Sequence, residues 1–268
     1  MGLNTGIRGL ARALLALALL PSALPAQQED GDEGGGSEYQ QMLDQAMTSG
    51  GYQQQSRGSS WDARLKVISG GVMMKTVDGD EWSAVTGVVP LDPNDVVKTS
   101  GDGVAEIYLD DKGAISLGRN TEFEVSSLEQ DDAVFSVHYG NIAAKVRHFL
   151  NEKFKLSVRT PAAVCAVRGT EFAVEYSQLG KDTAVAVFDE GKVSVTTSDA
   201  SGKGGQEYTL EKNMEIVLNP EQHRFRPAPL SRMLRHRSTI TALRTRLTQL
   251  KGWRPRPAAR RAALRAAA

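Results

Sequence analysis

The sequence predicts an all-β fold, a sandwich or roll of short, mainly antiparallel strands, with an amphipathic C-terminal helix standing outside it. Two observations predict the strands. Between Trp61 and Leu218, apolar residues alternate in runs of about 5 or 6, and turn clusters recur roughly every 8–12 residues. Almost no helix-period segment lies inside that region. A third observation predicts the helix: beyond Arg224 the chain turns arginine-rich and its leucines adopt heptad spacing.

Taken in order, residues 1–26 read as a secretory signal peptide. Arg8 and Arg12 precede the apolar run Ala13 to Leu20, and Pro21 leads to a small-residue exit ending at Ala26. Leu24 is unusual three positions before that cut, so Ala23 is an alternative cleavage point and an uncleaved anchor the remaining one. The apolar run is short of the ~20 residues a spanning helix needs. Residues 27–60, rich in Gly, Ser and Gln with few large apolar groups, read as a flexible linker.

Residues 61–221 read as the β domain. Segments such as Val104–Leu109, Ala114–Leu117, Glu122–Val125 and Ala133–His138 are separated by "SGDG", "DDKG", "GRNT" and "EQDD". Further strands are expected at Phe154–Arg159, Val164–Glu175, Ala184–Phe188, Lys192–Thr197, Glu207–Leu210 and Met214–Leu218. Residues 222–268 read as a basic tail. Met233, Ile240 and Leu247 fall seven apart, with Leu243 and Leu250 beside them; His236 lies on the same seam and weakens it. The Ala- and Arg-rich end beyond Trp253 is expected to fray.

Charge separates these parts. The chain has 32 basic and 32 acidic residues, yet 13 of the basic ones follow residue 223 and no Asp or Glu follows Glu221. Residues 1–223 therefore carry 19 basic against 32 acidic groups. Such asymmetry bears on partners rather than on fold. The tail is expected either to pack back on the acidic domain or to reach an anionic surface, lipid head groups or cell-wall polymer, through Arg232, Arg235, Arg237, Arg244 and Arg246. Self-association along the seam is a further option. Nucleic-acid binding suits the charge but not the export signal.

The stretch "TPAAVCAVRGTEFAVEY" (Thr160 to Tyr176) poses the chemical question. Cys165 sits in an apolar, strand-like run with no base placed beside it by sequence, since His138 and His148 lie on other segments. It reads as a buried core residue rather than a nucleophile. Gly169 inside a strand pattern marks a bulge or bend. A bend would let Arg168 reach carbonyls or a carboxylate such as Glu171 or Glu190, and let Thr170 hydrogen-bond across the turn. The acidic turns lack calcium-loop spacing, and four scattered histidines with one cysteine give no zinc pattern. No phosphate loop or nucleophile elbow occurs. The expectation is no cofactor, no metal and no enzyme activity.

The same stretch, followed by "TAVAVFDEGKVSVTT", resembles the signature of the FecR domain family, and the resemblance extends over about Arg64 to Leu218. It rests on Thr160, Pro161, Val167, Arg168, Gly169, Thr170, Phe172 and Gly191; where the family usually has a late glycine, this chain has Asn213. The resemblance implies an extracytoplasmic β domain acting in signalling or as a surface-protein module. Founding members relay occupancy of an outer-membrane ferric-siderophore receptor to a cytoplasmic sigma factor, using an anti-sigma segment before a membrane span. This chain shows a signal peptide in that place, so the sigma-factor step is not carried over. The expected role is binding, scaffolding or signalling at the envelope, in the periplasm or outside the cell. The alternative is a transducing subunit that binds an outer-membrane receptor and works through a separate membrane partner.

Overall fold

Alternation along the chain can bury one face of a sheet, and two such sheets must close on each other to hide both. The computed structural model shows this arrangement and describes residues 60–148, 155–198, 204–219, 224–250 and 256–266. The expected signal peptide, and the linker except Ser60, lie outside the described residues.

Seventeen strands are described. They are β1 (Ala63–Ser69), β2 (Val72–Lys75), β3 (Ser83–Ala84), β4 (Val88–Pro90), β5 (Val96–Thr99) and β6 (Val104–Leu109). Next come β7 (Gly113–Leu117), β8 (Glu122–Glu129), β9 (Asp132–Val146), β10 (Leu156–Thr160), β11 (Ala163–Arg168) and β12 (Glu171–Tyr176). The last are β13 (Thr183–Val187), β14 (Lys192–Ser198), β15 (Gly204–Leu210), β16 (Met214–Leu218) and β17 (Ala228–Pro229).

Their pairings form two sheets that share β9. The front sheet runs β3-β2-β5-β8-β9-β10-β11-β14-β15. The back sheet runs β4-β1-β6-β7-β9-β12-β13-β16-β17. Every pair is antiparallel except β9–β10. The first half of β9 pairs in the front sheet and the second half in the back, with the crossover at Gly140. One hydrophobic core fills the space between the sheets. Phe123 stacks on Phe135 at 5.5 Å between ring centroids, and Leu65, Ile107, Ile115, Ile142 and Phe172 complete the centre.

The expected single strand Val164–Glu175 is two strands, β11 in the front sheet and β12 in the back, broken at Gly169. Glycine is needed there because φ is +58°, and a Cβ would lie 2.5 Å from the backbone of His148.

The tail folds onto the outer side of the back sheet. A 3-10 turn (Arg232–His236) leads into α1 (Arg237–Gln249), and α2 (Ala258–Ala266) follows. The expected frayed end is corrected at α2: Arg261 binds Asp62 at 3.0 Å, and Arg265 binds Asp95 at 2.6 Å. These charges tie the Ala-rich segment to the domain, which helix propensity alone would not do for so short a piece. Among the described residues, no helix is long and apolar enough to cross a membrane.

Candidate functional site

Two places concentrate polar side chains: the corners where the chain changes sheets, and the interface between tail and back sheet.

The corners repeat. At one, β7 passes to β8 through Arg119, Asn120 and Thr121; at the other, β11 passes to β12 through Arg168, Gly169 and Thr170. Asn120 (φ +49°) and Gly169 (φ +58°) hold the same left-handed conformation. The Thr121 hydroxyl donates to the carbonyls of Arg119 (3.3 Å) and Asn141 (3.2 Å) and accepts from the Asn141 N–H at 3.0 Å. The Thr170 hydroxyl donates to the carbonyls of Arg168 and Lys192, each at 3.1 Å. Behind each threonine sits a glycine with no room for a Cβ. One on Gly140 would fall 2.4 Å from Thr121 Oγ1, and one on Gly191 would fall 2.5 Å from Thr170 Oγ1. The motif is legible as "RNTEF" (Arg119–Phe123) and "RGTEF" (Arg168–Phe172), a repeat the sequence analysis overlooked.

Each signature residue therefore has a location. The Thr160 hydroxyl accepts from the Ala163 N–H (3.0 Å) in the turn that Pro161 opens, and pairs with the Thr183 hydroxyl at 2.8 Å. Val167 and Phe172 are core. Arg168 is exposed at the end of the front-sheet strand β11. The carboxylates suggested for it are occupied by others. Glu171, fully buried, accepts from Lys145 at 3.3 Å and from both arms of Arg244 at 2.8 Å, and Glu190 binds Lys145. Cys165 is buried, and burial pushes its thiol up to about 12, where almost no reactive thiolate exists at neutral pH. Among the described residues, no group of three or more His, Cys, Asp or Glu is placed to hold a metal ion.

The tail interface is built from alanine and carboxylate. One row across the back sheet's outer side reads Glu106, Ser116, Ala143, Ala173, Ala186, Glu215 from β6 to β16. The small residues leave a trough. Into it and beside it pack Met233, Ile240, Leu243 and Leu247, against Phe188 and Ala184 at one end and Tyr108 and Ala114 at the other. The seam was expected to be apolar, and it is what faces the sheet.

Charges frame this apolar contact. The Glu215 carboxylate accepts the N–H groups of Ser231, Arg232 and Met233 at 2.9–3.0 Å, satisfying the start of the 3-10 turn that has no cap of its own. Glu175 receives Arg235 and His236. Burial would raise its carboxyl, but hydrogen bonds from His236 and Arg235 bring it down to about 2. Arg237 binds Asp189 at 2.9 Å, Arg232 binds Asp182 at 3.3 Å, and Arg246 binds Glu106. At the far end, Arg147 donates to the Leu247 carbonyl at 2.8 Å. All five arginines singled out in the sequence, Arg232, Arg235, Arg237, Arg244 and Arg246, thus meet carboxylates of the chain's own domain. His236, read as a flaw in the seam, is buried and is one of its anchors.

The front sheet's outer side differs. Ser157, Ala166, Ser194 and Thr209 align across β10, β11, β14 and β15, half-buried or exposed. Toward the other edge, Lys98 lies 5.5 Å from the Trp82 ring and 5.8 Å from that of Tyr139.

Comparison with known proteins adds a family match over part of the chain. Residues 95–194 match the family described as "FecR protein". That span holds both corners and the whole of β9. This stretch is similar to a FecR domain. Two crystal structures of a candidate anti-sigma factor from Parabacteroides distasonis ATCC 8503 are each 20% identical to it, with a TM-score of 0.44. The alignments cover 52% of this chain and 61% of that one, so the chain spans less than two thirds of that protein. No curated protein matches. The family match is narrower than the resemblance read from Arg64 to Leu218. Outside it lie β1 to β4, β15 to β17 and the tail, so the carboxylates Glu106, Glu171, Glu175 and Asp189 fall within the matched stretch while every arginine on them does not.

Proposed function

We propose that this chain is an exported, non-catalytic FecR-domain module that acts at the cell envelope as the binding or scaffolding part of a signalling system. The observation that carries this reading is the FecR match over residues 95–194, on a domain whose nucleophile candidate, Cys165, is sealed in the core. The N-terminal leader supports export. Attachment of the tail to lipid head groups or cell-wall polymer would require Arg232, Arg235, Arg237, Arg244 and Arg246 to exchange their present carboxylates for an external anion. A protein partner requires no such exchange.

Fractionation of cells expressing the full chain, combined with photocrosslinking from Ala166 on the front sheet and from Thr245 on the tail, tests the proposal. The expected result is a chain cleaved after Ala23 or Ala26, found with the envelope or periplasm, and one protein adduct of discrete mass. An adduct with an outer-membrane receptor would select the transducing-subunit version. A chain that stays in the cytoplasm with its leader intact overturns the proposal.

A further inference from the structure

The last turn of α1 leans over the edge of the back sheet formed by β4, β1 and β6. A cleft of about 350 Å³ opens there, lined by Arg64, Lys66, Tyr108, Arg246, Leu250 and Arg256 among others. Arg64 and Lys66 alternate outward on β1, Lys66 standing opposite Val88 on one side and Glu106 on the other. Arg246 arrives from the helix and Arg256 from the chain just before α2. Four cations thus converge from three segments.

Their counter-charges fall short. Glu106 is buried and already serves the Tyr108 hydroxyl at 2.5 Å as well as Arg246. Asp62 is divided between Arg64 at 2.6 Å, Arg261 at 3.0 Å and the backbone N–H of Arg256 at 3.3 Å. Lys66 is exposed and pairs with no carboxylate among the described residues. Most telling is Arg256, whose Nη1 is buried with no hydrogen-bond partner. Burial, and then the neighbouring Arg64, push its guanidinium below the usual arginine range. A buried guanidinium nitrogen without an acceptor is costly, and natural proteins seldom leave one so. The C-terminus of α1 adds a partial negative charge of about half a unit. That is too little to balance the excess, and Arg147 already occupies one of its carbonyls.

We propose that this cleft binds a phosphate group, carried by a small organic phosphate or by a lipid head group, with Arg256 and Lys66 as its principal ligands. A tetrahedral anion with several free oxygens suits cations that converge from β1, α1 and the approach to α2. A carboxylate offers only two oxygens in one plane. Tyr108 and Leu250 flank the cationic centre with apolar surface for whatever the phosphate is attached to. Arg64, Lys66, Arg246 and Arg256 all lie outside residues 95–194, so the site belongs to the way this chain closes on itself and stands apart from the role proposed for its FecR-like domain.

The test uses the full chain at constant ionic strength. Thermal unfolding is followed with inorganic phosphate, glycerol phosphate or matched chloride, and sedimentation with phosphatidylglycerol or phosphatidylcholine vesicles. Phosphate or glycerol phosphate should raise the melting temperature above the chloride control, as any ligand of the folded state does. Arg256→Gln and Lys66→Gln should each weaken binding by about tenfold. Arg256→Gln should leave the ligand-free melting temperature unchanged or higher, because it removes an uncompensated cation; a merely structural arginine would lower it. Sedimentation with phosphatidylglycerol that glycerol phosphate does not compete away assigns the lipid, and full competition assigns the small molecule. Should Arg256→Gln fail to fold, the exposed Lys66→Gln decides alone. Responses no larger than with chloride for every probe, or an undiminished response in the variants, overturn the proposal.

Discussion

The two outer faces of this sandwich come from strands of similar length and pattern, yet among the described residues only one is finished by another part of the chain. On the back sheet the outward positions of β7, β12 and β13 are alanine, serine or glutamate, β9 adds Asn141, Ala143 and Lys145, and every residue of β7 and β13 is buried. On the front sheet the outward positions of β10 and β14 are serine, threonine, lysine or arginine, those of β11 are Val164, Ala166 and Arg168, and all remain at least partly accessible. The difference lies in size and in counter-charge rather than in hydrophobicity. Small residues let a helix approach, and a buried glutamate is tolerable only when an arginine or lysine is brought to it. A face bearing both features is built to be covered by a cationic helix, and residues 232–249 supply one.

Two alanines of the same signature stretch give the sharpest test. Ala173 points outward on β12 beneath the tail, and Ala166 points outward on β11 into solvent. Ala173→Asp should cost about 3–5 kcal/mol and release the tail, because it buries a charge with no partner and fills the trough. Ala166→Asp should fall within about 0.5 kcal/mol of the parent. Chemical denaturation of both variants measures the gap. If Ala166→Asp costs as much as its counterpart, the front face is covered too and the contrast fails.

Acid should undo the clip by a smaller amount. The Glu175 carboxyl is held at about 2 when folded, against an ordinary value of 4.5, so its stabilisation is present in full above the ordinary value and disappears as pH falls from 4.5 towards 2. Asp189 and Glu190 are lowered too, chiefly by hydrogen bonds from Arg237 and Lys145, and act in the same direction. For Glu175 the effect is at most about 3 kcal/mol, less for the exposure of Arg235. Amide exchange in residues 232–249 should accelerate over that pH range before exchange in β11 does, and Glu175→Gln should exchange quickly already at neutral pH. Exchange that accelerates in both segments together would show that the tail is no separate unit.

Much of the β domain was legible because a period of two and a turn cluster are local signals. β6 and β16 fall where the alternation put them, and the bend at Gly169 followed from a glycine inside a strand pattern. The tail's apolar seam was equally plain. What local pattern could not give was the surface the seam meets. Burial on both sides of β12 and β13 depends on a helix some 60 residues later, and Glu171 and Glu175 look like solvent positions until Arg244 and Arg235 are laid over them. One signal was present but went unread: alanine recurs outward in "EFAVEY" and "TAVAV" where a solvated strand would carry longer polar groups. The tail's arginines, with no acidic residue among them, already made docking on the acidic domain one of two expected outcomes. The fold of α2 was beyond reach, since its anchors Asp62, Asp92 and Asp95 come from the far end of the domain.

The smallest expected effect concerns what the two sheets share. Removing the hydroxyl from either corner threonine, as Thr121→Val or Thr170→Val, should cost about 1–2 kcal/mol, the range for losing a buried hydrogen-bonded group. Thr121→Val should be the worse of the two. Its hydroxyl accepts the Asn141 N–H as well as donating to carbonyls, so the variant strands a backbone donor at the middle of β9. Thr170 Oγ1 only donates, and the carbonyls of Arg168 and Lys192 keep a second lone pair for other partners. Equal losses at both corners would show that the repeat is energetically as well as geometrically symmetric. A larger loss at Thr170 would mean that the tail, whose Arg244 binds the neighbouring Glu171, leans on that corner and draws the covered face into the joint between the sheets.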